Sequence, residues 1–264
     1  MASRLSLRFV ALAYLGAILL APVAVVIYKT FKPGLGSVFD SVTTPAAIHA
    51  FWLTVEVAAI AVPLNAIVGV LTAMALVRGK LPGRRLVEAL IDLPFAISPV
   101  VVGLALVLVY GRQGWFGDEL ASVGVQVLFS FPGILLATIF VTLPFVVREV
   151  APVLREVGED QEQAAATLGA SRWQAFRLIT LPAIRWGLVY GIVLSTARAI
   201  GEFGAVSVVS GKISGETETL TLLVEKRFQN FDLAGAYAAS TLLAFIALAT
   251  LAGIVLANRR KELS

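Results

Sequence analysis

Cysteine is absent from the 264 residues, and histidine occurs once, as His49. The first absence excludes disulfides, thiolate metal sites and cysteine nucleophiles. The second leaves no histidine cluster for a metal and no Ser/His pair for acyl transfer, and no apolar run carries paired aspartates, so an intramembrane enzyme is disfavoured. A Gly-x4-Gly-Lys-Ser/Thr phosphate loop is also missing, so nucleotide hydrolysis, if it drives this protein, belongs to another chain. Charge is scarce as well: Asp, Glu, Lys and Arg make up 14% of the chain against 58% hydrophobic residues, with a mean hydropathy of +0.89. Those values exclude an ordinary soluble domain and place the chain in lipid.

The apolar residues gather into six stretches, at 10–28, 51–77, 87–110, 127–147, 187–210 and 234–257. Each supplies the roughly 20 residues that cross about 30 Å of hydrocarbon, so the expected fold is an all-α polytopic membrane protein with six spanning helices. The basic lead "SRLSLRF" resembles the start of a signal peptide. Its apolar part is longer than a signal core and no clear small-x-small site follows, so the first stretch is read as a retained helix.

Lys and Arg are distributed unevenly about these spans. With the N-terminus inside, fourteen fall on the inner side: two ahead of the first span, Arg78, Lys80, Arg84 and Arg85, five in 148–185, and Arg259, Arg260 and Lys261. Six fall outside (Lys29, Lys32, Arg112, Lys212, Lys226, Arg227), and Arg198 lies within a span. This asymmetry puts both termini and segment 148–185 in the cytoplasm. The net charge of +4 and pI near 9.6 therefore reflect topology and contact with membrane lipid, not nucleic-acid binding.

Segment 148–185 carries two helix signatures separated by a glycine. Asp160 is placed as an N-cap with Gln163 three residues on, and Glu162 sits in the first turn, where a carboxylate suits the helix dipole. A short helix through Ala164, Ala165, Ala166 and Leu168 should end at Gly169, which suits the left-handed conformation. Ser171 and Gln174 repeat the capping-box spacing and begin a second helix, which Pro182 interrupts ahead of the fifth span. Trp173 and Phe176 are expected to anchor that second helix on the membrane domain. The small alanine face fits either a docking element or a plain interfacial connector.

The spacing Gln163-Ala164-Ala165, then Gly169, then Ile179-x-Leu181-Pro182 resembles the EAA signature of binding-protein-dependent ABC importer permeases, whose coupling helix enters a cleft on the ATPase. The resemblance assigns ATPase coupling to Gln163, Ala164, Ala165, Leu168, Gly169 and Ala170. Gln163 stands where the family has glutamate, with Glu162 displaced by one. A helix turns about 100° per residue, so Glu162 does not occupy the same face.

The stretches "LPFAISPVVVGLALVLVYGRQGWFG" (93–117), "VLFSFPGILLATIFVTLPFVVREV" (127–150) and "ARAIGEFGAVSVVSGKISGET" (197–217) resemble the CysW-type membrane subunits of sulfate/thiosulfate importers. The "ARxxGEFGA" portion is also similar to molybdate and tungstate permeases, and "VSVVSGKISGET" is what favours sulfate. The resemblance implies a type I ABC importer permease fold in a bacterial-type inner membrane, with 1–264 as a single permease domain. The implied partners are a CysT-type permease, two copies of a cytoplasmic ABC ATPase and a periplasmic sulfate-binding protein. No cofactor is expected on this chain, ATP and magnesium belonging to the ATPase.

Arg198 and Glu202 are the principal charges of the fifth span, and an ionised side chain at mid-membrane costs at least about 2.5 kcal/mol, so the pair should face protein or a water-filled path. With Gly201, Phe203 and Ser98 they form the candidate pathway or gate. Arg198 either offers a positive field to a crossing dianion, with Glu202 restraining it, or the two form a structural or gating ion pair or each pair with the partner permease. Gly201 and Gly204, with Ala197, Ala205 and Ser207, narrow the span for close helix approach or for a path. Ser98 and Pro99 could interrupt the third span and free backbone groups. Asp92 and Glu56 are read as solvated or paired residues near span ends, and His49 as an outer connector residue without a role. Glu216, Glu218 and Glu225 with Lys212, Lys226 and Arg227 form a mixed-charge outer segment that either contacts the binding protein or is simply solvated.

Overall fold

A computed structural model describes residues 10, 12–79 and 82–262, the side chains of 19 and 255–262 apart. The basic residues ahead of the first span, Lys80, and the side chains of Arg259, Arg260 and Lys261 lie outside the described residues.

The described chain is helical. Helix α1, Leu12–Phe31, is followed by a short α2, Leu35–Val42, and by α3, Pro45–Arg78, of 34 residues. Thr44 caps α3, its hydroxyl accepting from the Ala47 N–H at 3.2 Å, and Pro45 starts the helix with the φ its ring already fixes. The second span therefore begins at Pro45 rather than 51. His49 is a half-buried residue of that helix rather than of a connector, because the Thr-Pro cap outweighs the polar residues around it.

Helices α4, Arg84–Ala96, and α5, Pro99–Tyr110, occupy the expected third span but are bent by 115°. Ile97 is extended (φ −111°, ψ 153°) and Ser98 follows with ψ 138°. A residue ahead of proline is driven out of the α region, so Ser98-Pro99 breaks the helix. A short α6, Gly117–Ser122, precedes α7, Phe131–Val157. Helix α7 runs past 147, so residues 148–157 of the expected cytoplasmic segment continue a membrane helix. The elbow proper is α8, Asp160–Thr167, and α9, Arg172–Ala183.

The chain breaks again at Ile184, where α9 meets α10, Arg185–Ile200, at 69°. Pro182 is accommodated within α9, and the interruption falls two residues later than its position implies. Helix α10 has 16 residues, about 24 Å, short of the hydrocarbon thickness. The expected span 187–210 is therefore a helix to Ile200, a turn, and the one-turn α11, Val206–Val209. Helices α12, Leu220–Gln229, and α13, Leu233–Glu262, complete the fold. Among the described residues four helices are long and apolar enough to cross a membrane, and six spans result only if each bent pair is counted as one.

Helix α3 packs along α7 and α10 as the spine of the molecule. Toward one end Leu53 and Val57 meet Ile134, Ala137 and Val141, with Val102 of α5 and Val206 and Val209 of α11 closing over them. Toward the other, Ala73 and Leu76 meet Val147, Val150 and Leu154, joined by Ile184. Helix α12 packs Leu220 and Leu223 onto Ala47, Ala50 and Ala239 of α13.

Candidate functional site

At the Ile184 end, the elbow is built from local cap signals. Gly158, at φ 69°, turns the chain, and helical geometry begins at once, so Glu159 occupies the cap position and Asp160 is the first helical residue. Asp160 is thus not the N-cap, and Gln163 donates its backbone N–H to the Glu159 carbonyl at 2.9 Å. The C-terminus follows the expectation closely. Gly169 sits at φ +85°, its N–H bonded to the Ala166 carbonyl (3.0 Å) and the Ala170 N–H to the Ala165 carbonyl (3.0 Å). That pair of bonds closes the last turn as a Schellman motif.

Helix α9 opens with the capping box: the Gln174 N–H reaches Ser171 Oγ at 3.3 Å, and the Ser171 N–H reaches Gln174 Oε1 at 2.7 Å. Trp173 and Phe176 stack at 5.5 Å, but only Phe176 enters the core beside Ile184 and Leu154. Trp173 is 66% exposed and is therefore not an anchor on the membrane domain.

The elbow has two unlike faces. Gln163, Ala164, Leu168 and Gly169 are exposed, with Ala165 and Ala170 half-buried, and Leu168 is 89% accessible. Among the described residues, no apolar neighbour covers this leucine at the tip of an alanine helix. The opposite face carries Glu162, 3.0 Å from Arg78 Nη2 at the end of α3 and accepting the Thr180 hydroxyl at 2.5 Å. Arg78 Nη1 also donates to the Gly158 carbonyl at 2.7 Å and lies 3.7 Å from Glu159. In the sequence Arg78 stands out only as a topology marker, and nothing marks Thr180.

The second cluster surrounds the end of α10. Arg198 is in the last turn of that helix, not the middle of a span. Its Nη1 lies 2.5 Å from Glu202 Oε2. The Glu202 side chain is 1% exposed and that of Arg198 29%. Glu202 Oε1 accepts the Ala205 N–H at 2.8 Å, and the Glu202 carbonyl accepts the Thr221 hydroxyl at 2.8 Å. The carboxylate thus shapes the turn that ends α10 while neutralising the arginine. A buried carboxylate without such partners would be strongly destabilising, which is why the turn and the ion pair go together.

The same turn brings Gly204 against Pro99. A Cβ on Gly204 would stand 2.7 Å from Pro99 Cβ, so close approach requires glycine there. Gly201 is exposed, a Cβ there meeting only the Ala197 carbonyl oxygen at an ordinary 3.5 Å, and Phe203 is exposed beside it. The helix break at Ser98 and the turn after α10 are therefore one joint, made from the third and fifth expected spans.

The remaining charges are largely paired. Asp92 binds Arg148 at 2.8 Å and Glu88 binds Arg155 at 2.9 Å, fastening α4 to α7, while Arg84 pairs with Glu88 within α4 at 3.2 Å. Glu56 is exposed on α3. The mixed-charge segment is ordered: Glu218 is buried and holds Lys226 at 3.1 Å and the Ser214 hydroxyl at 2.6 Å, while Lys212 holds Glu225 at 3.1 Å.

Comparison with known proteins bears on both clusters. A family model for the inner membrane component of binding-protein-dependent transport systems matches residues 65–261, which include the elbow and the joint. Over 241 residues the chain is 51% identical to the sulfate transport system permease protein CysW of Synechocystis sp., covering 91% of this chain and 87% of that protein. Over 240 residues it is 40% identical to the sulfate transport system permease protein CysT of Escherichia coli (strain K12), covering 90% and 85%. A chain of a bacterial ABC transporter involved in the import of the acidic polysaccharide alginate superposes with a TM-score of 0.80 at 18% identity, covering 97% of this chain and 94% of that one, a likeness of fold.

Proposed function

The chain belongs to the family of binding-protein-dependent transport system inner membrane components, and from that premise we propose that it is a permease subunit of an ATP-driven importer of sulfate and thiosulfate. It is a transport subunit and not an enzyme, a multi-pass membrane protein with the type I importer permease fold. The elbow carries the rest of the reading. An alanine helix ended by a Schellman turn, with Leu168 uncovered at its tip, is shaped to enter a groove on another protein.

In this reading Gln163, Ala164, Ala165, Leu168, Gly169 and Ala170 meet a cytoplasmic ATPase, present in two copies and holding ATP and magnesium. Both termini lie in the cytoplasm of a bacterial-type inner membrane, and 1–264 forms one permease domain. The higher identity to the CysW than to the CysT relative supports a CysW-type place beside a CysT-type partner. A periplasmic sulfate-binding protein delivers the anion on the outer side.

Closure of the ATPases pushes the elbow and alters the joint between Ser98-Pro99 and the turn at Gly201, Glu202 and Phe203. Arg198, its charge met by Glu202, presents a muted field that passes a dianion without trapping it. The test is to purify the complex and measure which oxyanion accelerates ATP hydrolysis once its binding protein is added. Sulfate or thiosulfate is expected to do so. Stimulation by molybdate or tungstate alone would shift the assignment to those ions, and a complex lacking any ATPase would overturn it.

A further inference from the structure

Helix α8 poses a mechanical problem. None of its eight residues is buried, and it is flanked by Gly158 and Gly169, both at positive φ. A lever attached through two turns, with no side chain in the core, cannot drive a membrane bundle by packing alone. Its inner face, however, is tied into the bundle by polar contacts. Arg78, with a side chain only 13% exposed, reaches Glu162 and Glu159 of the α8 start and the carbonyl of Gly158. Glu162 in turn accepts the hydroxyl of Thr180, itself buried in α9. Two residues before Arg78, Leu76 is locked against α7 in the core that includes Leu154. The contacts thus join the ends of α3 and α7 to both arms of the elbow at one point.

We propose that Arg78 is a positioning residue for transport, acting through Glu162 and Thr180 so that the coupling elbow and the α3–α7 spine move as one body. A guanidinium suits this task because its delocalised charge pairs with the Glu162 and Glu159 carboxylates while Nη1 donates to the Gly158 carbonyl. The displacement of the acid from 163 to 162 then has a meaning within this chain: the carboxylate faces inward to the clamp, leaving Gln163 to the exposed face. This inference rests on the importer reading, since it concerns how ATPase motion reaches the membrane.

The experiment is reconstitution of the complete complex with its binding protein in proteoliposomes, measuring both ATP hydrolysed and sulfate taken up. Arg78→Gln and Glu162→Gln are each expected to leave assembly and ATP hydrolysis largely intact while sulfate moved per ATP falls about ten-fold, and the double variant falls no further, as for two residues acting as a unit. Thr180→Val, which removes only the hydroxyl, should give a smaller loss of about three-fold in the same ratio. A ratio within two-fold of wild type in the first two variants, or losses that multiply in the double variant, would overturn the clamp. So would failure of all three to assemble, because the contact would then be a folding element and not a positioning one. If the unaltered complex shows no sulfate-dependent hydrolysis, the importer reading itself fails.

Discussion

Gly169 is the residue whose backbone decides the elbow. At φ +85° a side chain strains the turn by about 1 kcal/mol, and an aspartate also places a carboxylate at the negative end of α8. Gly169→Asp is expected to insert into membranes normally but to lose most ATPase association, as read by co-purification. Arg198 behaves differently, because removing it strands the Glu202 carboxylate, which is 1% exposed, at a cost of about 3 kcal/mol or more. Arg198→Ala should therefore unfold at lower temperature in detergent as well as transport poorly. Arg198→Ala combined with Glu202→Gln should recover much of the stability while uptake stays low, and recovery of both would remove the arginine from the transport path. Local signals such as Ser171 with Gln174, or the helix-ending Gly169, are legible in the sequence because donor and acceptor lie within a few residues. The Arg78 clamp is not, since its partners lie far along the chain, Gly158 in the turn ahead of α8, 80 residues away, and Glu162 on α8.

At the scale of elements, the breaks matter more than the spans. Hydropathy locates the apolar stretches but is blind to a turn made of apolar and small residues, which is why 187–210 reads as one helix while the chain stops at Ile200. The buried Glu202, bonded to the Ala205 N–H, supplies the stop. The break at Ser98 is foreshadowed by Pro99, whose effect on the preceding residue is purely local, but its packing against Gly204 is not. Gly204→Val should overlap Pro99 and cost about 1–3 kcal/mol, measurable as a lower unfolding temperature in detergent. Pro99→Gly in the same background, which removes the Cβ that the valine meets, should relieve part of that loss if the two segments form one joint. No relief would separate them.

For the whole molecule, composition alone fixes the bilayer and the all-helical class, because nothing but helices satisfies the backbone of so apolar a chain with no alternating strand pattern. What it leaves open is which side of the membrane the elbow occupies. The cysteine-free chain makes that measurable: a cysteine placed at Ile213, exposed on the opposite side from the elbow, should react with an impermeant thiol reagent in intact cells, and one at Trp173 only after permeabilisation. The reverse pattern would invert the topology and move the elbow away from ATP. The central claim, that force enters through the elbow, is tested most directly by a photo-crosslinking side chain at Leu168 in native membranes. A covalent adduct to a nucleotide-hydrolysing subunit is the expected result, and an adduct to lipid alone, or to a periplasmic protein, would contradict it.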